Sequence, residues 1–285
     1  MKIKEALVKA YSILKESNKE FYMEDSQILL THVIKKDKLF IITNRDFEID
    51  EDKAEEYFRY IDMRRKKMPL RYITKQCEFM GLDFHIEEGV LIPRPDTEIL
   101  VEEVLKYIEY NNYKKVCDVC SGSGAIGLSI AKYANNVEVL CTDISKDAIR
   151  VSEINRKSLE LEDRVKIEEG DLLRKVIERG EKFDVIVSNP PYIREDEIPT
   201  LMEDVKEYEP KIALSGGEDG LEFYRKITSM SKEILKPGGL IAYEIGSDEA
   251  DEVFQILKNE GFISVEKRKD LAKMDRVVLA VRGGL

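Results

Sequence analysis

At 285 residues, with 43% hydrophobic and 36% charged residues of mixed sign, the chain has the make-up of a soluble globular protein of about two domains. No run nears the ~20 consecutive apolar residues of a membrane span, and Met1-Lys2-Ile3-Lys4-Glu5 carries charge where a signal peptide needs an apolar core. The formal charge of −11 argues against broad binding to duplex phosphates, yet it is uneven: residues 1–75 hold 17 Lys+Arg against 14 Asp+Glu, the remainder 29 against 43.

Residues 1–68 read as helices on the 3.6-residue period, with Ile3, Ala6, Leu7, Ala10, Tyr11 and Leu14 on one face. A second amphipathic run includes Ile28, Leu29, His32 and Val33, and a third carries Ala54, Tyr57, Phe58 and Ile61. His32 on such a face reads as a packing residue rather than a ligand. Met68-Pro69 closes the section, because proline lacks the N–H a helix interior needs. Tyr72, Ile73, Phe79, Leu82, Phe84 and Ile86 around Met80-Gly81 fit a short β-hairpin. The expected division is a helical domain over 1–70, a hairpin linker over 71–92 and a larger domain over 93–285.

From Thr97 the pattern alternates. A helix over about 98–110 precedes an apolar strand at 115–119, and further strands are expected at 137–141, 165–167, 183–187, 240–244, 264–267 and 276–281. Helical segments separate most of them, which is the signature of an α/β fold with a doubly wound, mostly parallel, seven-stranded sheet. Too little chain joins the final two strands for a helix, so they are expected to pair antiparallel at one edge. The four cysteines do not make a disulfide framework, and the lone pair Cys117/Cys120 has only His32 and His85 as possible companions, so no metal is expected. Reduced thiols in a cytoplasmic protein are the better reading.

Two stretches carry chemistry. The run Val116-Cys117-Asp118-Val119-Cys120-Ser121-Gly122-Ser123-Gly124 lies where the first strand of the alternating region meets a helix, and its glycines permit a tight turn and close approach of a ligand. About twenty residues on, Asp143 stands at the next strand tip, where a carboxylate suits a ribose diol because it accepts from both hydroxyls. A glycine turn with a solvated aspartate is the plain alternative, disfavoured because both features occur at the right spacing. A pyrophosphate would want a more basic or donor-rich helix start. The loop instead resembles the cofactor loop of class I S-adenosylmethionine-dependent methyltransferases. A third tip, Asp171-Leu172, offers an acid and an apolar edge for an adenine, although Asp171 alone reads equally as a helix N-cap.

The second stretch is Asn189-Pro190-Pro191-Tyr192, directly after an apolar strand. Neither proline has an N–H, so the loop offers acceptors and few donors. The Asn189 side-chain oxygen and the Pro190 carbonyl can both accept from a planar –NH2, with Tyr192 as a flat wall. Such a nitrogen is a poor nucleophile because its lone pair is delocalised, so holding it flat and aligned is the gain that matters.

These residues resemble the N-P-P-Y motif of amino-group methyltransferases. Leu91-Ile92-Pro93-Arg94-Pro95-Asp96-Thr97-Glu98, the stretch from Tyr208-Glu209-Pro210 to Gly220-Leu221, and Asp275-Arg276-Val277-Val278 are similar to segments of the HemK/PrmC family, so the resemblance covers roughly residues 69–281. It implies a class I, Rossmann-like protein-(glutamine-N5) methyltransferase. The implied substrate is the glutamine of the Gly-Gly-Gln motif in class I peptide-chain release factors, held in part by the helical first domain. It further implies that Cys120, Ser121, Gly122, Ser123, Gly124, Asp143, Asp171, Leu172 and Asn189 bind S-adenosylmethionine, and that Asn189, Pro190, Pro191 and Tyr192 hold the substrate amide, with Asn189, Pro190 and Tyr192 catalytic. One departure is Cys120, where the family commonly has glycine. The rival readings are an N-P-P-Y enzyme acting on a nucleic-acid base and a noncatalytic cofactor-binding module. The acidic remainder opposes the first despite Arg64-Arg65-Lys66-Lys67. The acceptor-only loop opposes the second.

Overall fold

The computed structural model describes residues 1–17 and 20–284. The chain forms two compact units, Met1–Gln76 with Met202–Tyr208, and Cys77–Leu201 with Glu209–Leu285.

In the first unit, α1 (Ile3–Leu14), α2 (Tyr22–Ile34), α3 (Lys38–Thr43) and α4 (Glu51–Arg65) enclose a core of Ile3, Ala6, Ala10, Leu14, Leu29, Leu30, Tyr57 and Ile61. All but Leu30 fall on the 3.6-residue stripes read from the sequence, while Leu7, Tyr11, Ile28 and Phe58 of those stripes are half-buried. A nearly buried ion pair, Arg64 Nε to Asp25 Oδ2 at 2.6 Å, ties α4 to α2. His32 is half-buried beside Tyr60, and burial lowers its pKa. Pro69 begins a helix rather than ending one: α5 (Leu70–Thr74) takes it as N-cap, where the missing N–H costs nothing. Tyr72 and Ile73, expected in the hairpin, are therefore helical.

The hairpin itself is shorter, β1 (Gln76–Phe79) and β2 (Leu82–His85). Met80 and Gly81 turn it with positive φ of 52° and 67°, the pairing that matches strand twist.

The second unit continues with α6 (Glu98–Asn111), β3 (Lys115–Val119), α7 (Ala125–Tyr133), β4 (Glu138–Asp143), α8 (Lys146–Ser158), β5 (Val165–Glu169), α9 (Arg174–Glu178) and β6 (Phe183–Ser188). After α10 (Glu203–Tyr208), which belongs to the first unit, follow α11 (Lys211–Leu214), α12 (Glu222–Ile234), β7 (Leu235–Glu244), α13 (Ala250–Asn259), β8 (Phe262–Lys269) and β9 (Asp275–Arg282). Seven strands form one sheet in the order β5-β4-β3-β6-β7-β9-β8. The central strands are apolar on both faces because helices cover both, whereas the edges β5 and β8 carry Lys166, Glu168, Lys267 and Lys269.

The mixed, mostly parallel sheet is the expected one, with one refinement of place. β9 is antiparallel to both β7 and β8, so the inverted strand sits one position in from the edge. The crossover through α13 carries β8 past the neighbouring slot, and the short β8–β9 turn folds β9 back into it. β7 also begins five residues before the expected 240, because Pro237 and Gly238 (φ 78°) make an irregular start that reads as a turn. No helix among the described residues is long and apolar enough to cross a membrane.

Candidate active site

Strand order reverses between β3 and β6: the chain moves outward through β4 and β5 on one side, and through β7 on the other. Loops leaving the carboxyl ends of β3 and β6 must diverge there and open a crevice. A cavity occupies that position. Its wall includes Cys120, Ser121, Gly122 and Ser123 after β3, Asp143 at the end of β4, Asp171 and Leu172 after β5, and Asn189 and Pro191 after β6.

The β3–α7 turn is built from left-handed backbone at Cys120 (φ 59°), Gly122 (φ 55°) and Gly124 (φ 80°). Gly124 is the N-cap of α7 and does not itself line the cavity. Asp143 clamps the turn: its Oδ2 accepts from Gly122 N at 2.8 Å and its Oδ1 from Ser145 N at 2.8 Å. Burial raises the Asp143 pKa, opposed by the N–H groups of Ser145, Gly122 and Ile144. With about four lone-pair sites, the carboxylate keeps acceptor capacity for a ligand hydroxyl. A Cβ at Gly127 would lie 2.5 Å from Cys141 Sγ and 3.0 Å from Asp118 Oδ2, so only glycine lets α7 seat this close to the sheet.

Asp171 is half-buried, pairs with Arg174 at 3.2 Å and is not a helix N-cap, a place Leu173 takes. Leu172 has φ 52°. Pro190 and Pro191 are both buried; Pro191 lines the cavity, and Pro190 and Tyr192 are its chain neighbours rather than lining residues. Tyr192 packs against the main core, and burial, with Glu244 next, pushes its hydroxyl up to about 12. Burial likewise pushes the Cys117 and Cys120 thiols well up, which keeps them protonated. Among the described residues no group of three or more His, Cys, Asp or Glu is placed to hold a metal ion.

Three polar residues not expected as site residues help build the site. Asn155, fully buried on α8, accepts from His85 N at 2.6 Å and donates to His85 O at 3.1 Å and Ser123 O at 2.9 Å, fastening the hairpin to the turn. Thr97 lines the cavity and receives Asn189 Nδ2 at 3.5 Å. Glu244, at the end of β7, is 1% exposed, and the nearby Thr97 and Asn189 side chains favour its charged form against burial. Thr97 belongs to a stretch with a family-like sequence, whereas Asn155 and Glu244 are lone polar residues with nothing nearby in sequence to flag them.

The arrangement thus brings the Asp143 carboxylate, the Cys120–Ser123 turn and part of the Asn189–Pro191 loop to one cavity. Comparison with known proteins shows the family. Residues 5–74 match the PrmC N-terminal domain and residues 95–209 the methyltransferase small domain. A release factor glutamine methyltransferase of Clostridium acetobutylicum is 78% identical over 285 residues, the whole of both chains. One of Clostridium botulinum is 52% identical over 280 residues, 98% of this chain and 99% of that one. In fold alone, the crystal structure of a methyltransferase from Pyrococcus furiosus is similar, with a TM-score of 0.51 at 20% identity over 72% of this chain and 91% of that one. At such identity along its whole length, the chain belongs to the release factor glutamine methyltransferase family.

Proposed function

We propose that this protein transfers a methyl group from S-adenosylmethionine to the side-chain amide nitrogen of the glutamine in the Gly-Gly-Gln motif of class I peptide-chain release factors, in the cytoplasm. The observation that carries the reading is the placement of Asn189 on the wall of the cavity that Asp143 also lines. The residues present fit the cofactor. Asp143 has acceptor capacity left over for the ribose hydroxyls, Asp171 and Leu172 pair an acid with an apolar edge for the adenine, and the turn of residues 120–123 borders the cavity for the amino-acid end. When bound, S-adenosylmethionine supplies an electrophilic methyl group on a sulfonium.

The chain's own work is to orient. Asn189 Oδ1 and the Pro190 carbonyl accept the two N–H bonds of the glutamine amide, and Pro191, having no N–H, leaves those acceptors uncontested. Tyr192 backs the loop from the core side. Fixing the nitrogen in this way yields alignment and preorganised dipoles, and no strong base has to act before attack. The first 70 residues contribute to holding the release factor.

The test is methyl transfer from labelled S-adenosylmethionine to purified release factor, with ribosomal RNA and DNA as parallel acceptors. Label should enter the release factor and be lost when the motif glutamine is changed to glutamate. Label in nucleic acid with none in the release factor overturns the substrate.

A further inference from the structure

Asn189 faces an ambiguity that its own side chain cannot resolve. Carboxamide oxygen and nitrogen are nearly the same size, so only hydrogen-bond partners decide which end points into the cavity. An acceptor role requires the oxygen there. The deciding groups lie behind. β6 and β7 run parallel with Ser188 beside Tyr243, which brings the next residues, Asn189 and Glu244, together. Asn189 Nδ2 points to Thr97 Oγ1 at 3.5 Å, and the buried Glu244 carboxylate lies close enough that both polar side chains favour its charged form. Glu244 Oε2 is fully buried with no partner among the described residues, so this pocket has acceptor capacity to spare.

We propose that Glu244, as a carboxylate, is a positioning residue that holds the Asn189 –NH2 inward, directly and through Thr97, and so turns the Asn189 oxygen toward the substrate amide. This rests on the reading of Asn189 as the substrate acceptor. An ionised carboxylate only accepts, and an inward amide oxygen facing it would be repelled. A protonated Glu244 is ambivalent, because its hydroxyl can donate to the oxygen of a flipped Asn189. Orientation is therefore linked to charge.

The groups that face Glu244 are Arg276 from β9, Asp96 from the turn before α6, Tyr192 from the loop after β6 and Tyr224 from α12. Arg276 is shared, lying 3.4 Å from Asp96 and 3.2 Å from Asp270. Burial raises the Glu244 pKa to about 7, against the pull of Thr97, Arg276 and Asn189 and with a push from Asp96. The correctly oriented fraction of Asn189 falls as pH drops through that value.

The experiment compares wild type, Glu244→Gln and Glu244→Asp as full chains between pH 6 and 8.5. Turnover on release factor is measured at saturating S-adenosylmethionine, cofactor affinity by calorimetry, and the Asn189 side-chain NH2 resonance by NMR in the free protein. Wild-type turnover should rise across pH 7, and the Asn189 resonance should titrate with the same midpoint. Glu244→Gln, isosteric but unable to ionise, should lose both titrations and about tenfold in kcat, with KM and cofactor affinity within about threefold. Glu244→Asp should keep a titration at reduced rate. A Glu244→Gln protein with the wild-type pH profile, an unmoved Asn189 titration, or a kcat loss matched by lost cofactor affinity overturns the proposal. If wild type labels no release factor, the substrate reading fails while the NMR titration still decides the role of Glu244.

Discussion

Asp143 Oδ2 accepts the backbone N–H of Gly122 at 2.8 Å, so the tip of β4 holds the turn that leaves β3. One carboxylate thereby shapes the loop and keeps lone pairs for a ligand. Asp143→Ala removes both, and S-adenosylmethionine binding should weaken by ~1.5–3 kcal/mol, the range for hydrogen bonds to a charged group. Asp143→Asn, which retains one acceptor oxygen, should lose less. Calorimetry on a folded Asp143→Ala protein with unchanged affinity would remove this residue from the site.

Asn189→Ala takes away the proposed acceptor without adding charge. Methyl transfer should fall on the order of 100-fold or more through misalignment, while KM for the release factor changes by no more than a few fold. Asn189→Asp should outperform alanine yet stay below wild type. Its carboxyl would face Glu244, and two acids so placed share a proton rather than both ionise. Steady-state kinetics within about threefold of wild type for the alanine variant would refute the acceptor mechanism.

Cys120 adopts φ 59°, a conformation that glycine takes freely and that costs other residues roughly 1–2 kcal/mol. Its side chain also packs against the main core, a contact that glycine forfeits. These terms oppose each other, so Cys120→Gly should retain activity with little change in Tm. Wild-type Cys120 should alkylate slowly at neutral pH, because burial keeps the thiol protonated. Loss of activity with intact cofactor binding in Cys120→Gly would call for a chemical role of the sulfur.

Asp118 is wholly buried near the end of β3; its Oδ2 accepts from Gly127 N at 2.9 Å and its Oδ1 has no partner among the described residues. Burial raises its pKa from 3.8 to about 8. The folded state therefore keeps a proton that the unfolded chain gives up, and this contribution to stability, full below pH 3.8, is lost as pH rises through about 8. Asp118→Asn cannot titrate. Thermal melts from pH 5 to 9 should show wild type losing stability relative to the variant as pH rises. Parallel curves would contradict the assignment.

The contrast between Asn189 and Glu244 shows what was legible beforehand. The strand tips, the Gly122-Ser123-Gly124 turn and the run from Asn189 to Tyr192 are contiguous in sequence, and the physics of each is local: left-handed backbone, missing N–H groups, a carboxylate at a strand end. Glu244 lies far along the chain from Asn189 and Thr97, and the parallel β6–β7 register is what brings it beside Asn189. Asn155 reaches His85 across 70 residues because α8 packs against β2. Alternation misled at Tyr72 and Ile73, where two apolar neighbours after a proline fit a short helix as readily as a strand.

β9 is the latest of the seven strands to be synthesised, yet it lies inside the sheet. Until residues 275–282 emerge, β7 presents an open edge, a hazard for wrong pairing, and Glu244 lacks the countercharge of Arg276. A chain lacking residues 275–282 would therefore leave β7 without its antiparallel partner and Glu244 without the Arg276 guanidinium, so one strand both closes the sheet and balances a buried acid.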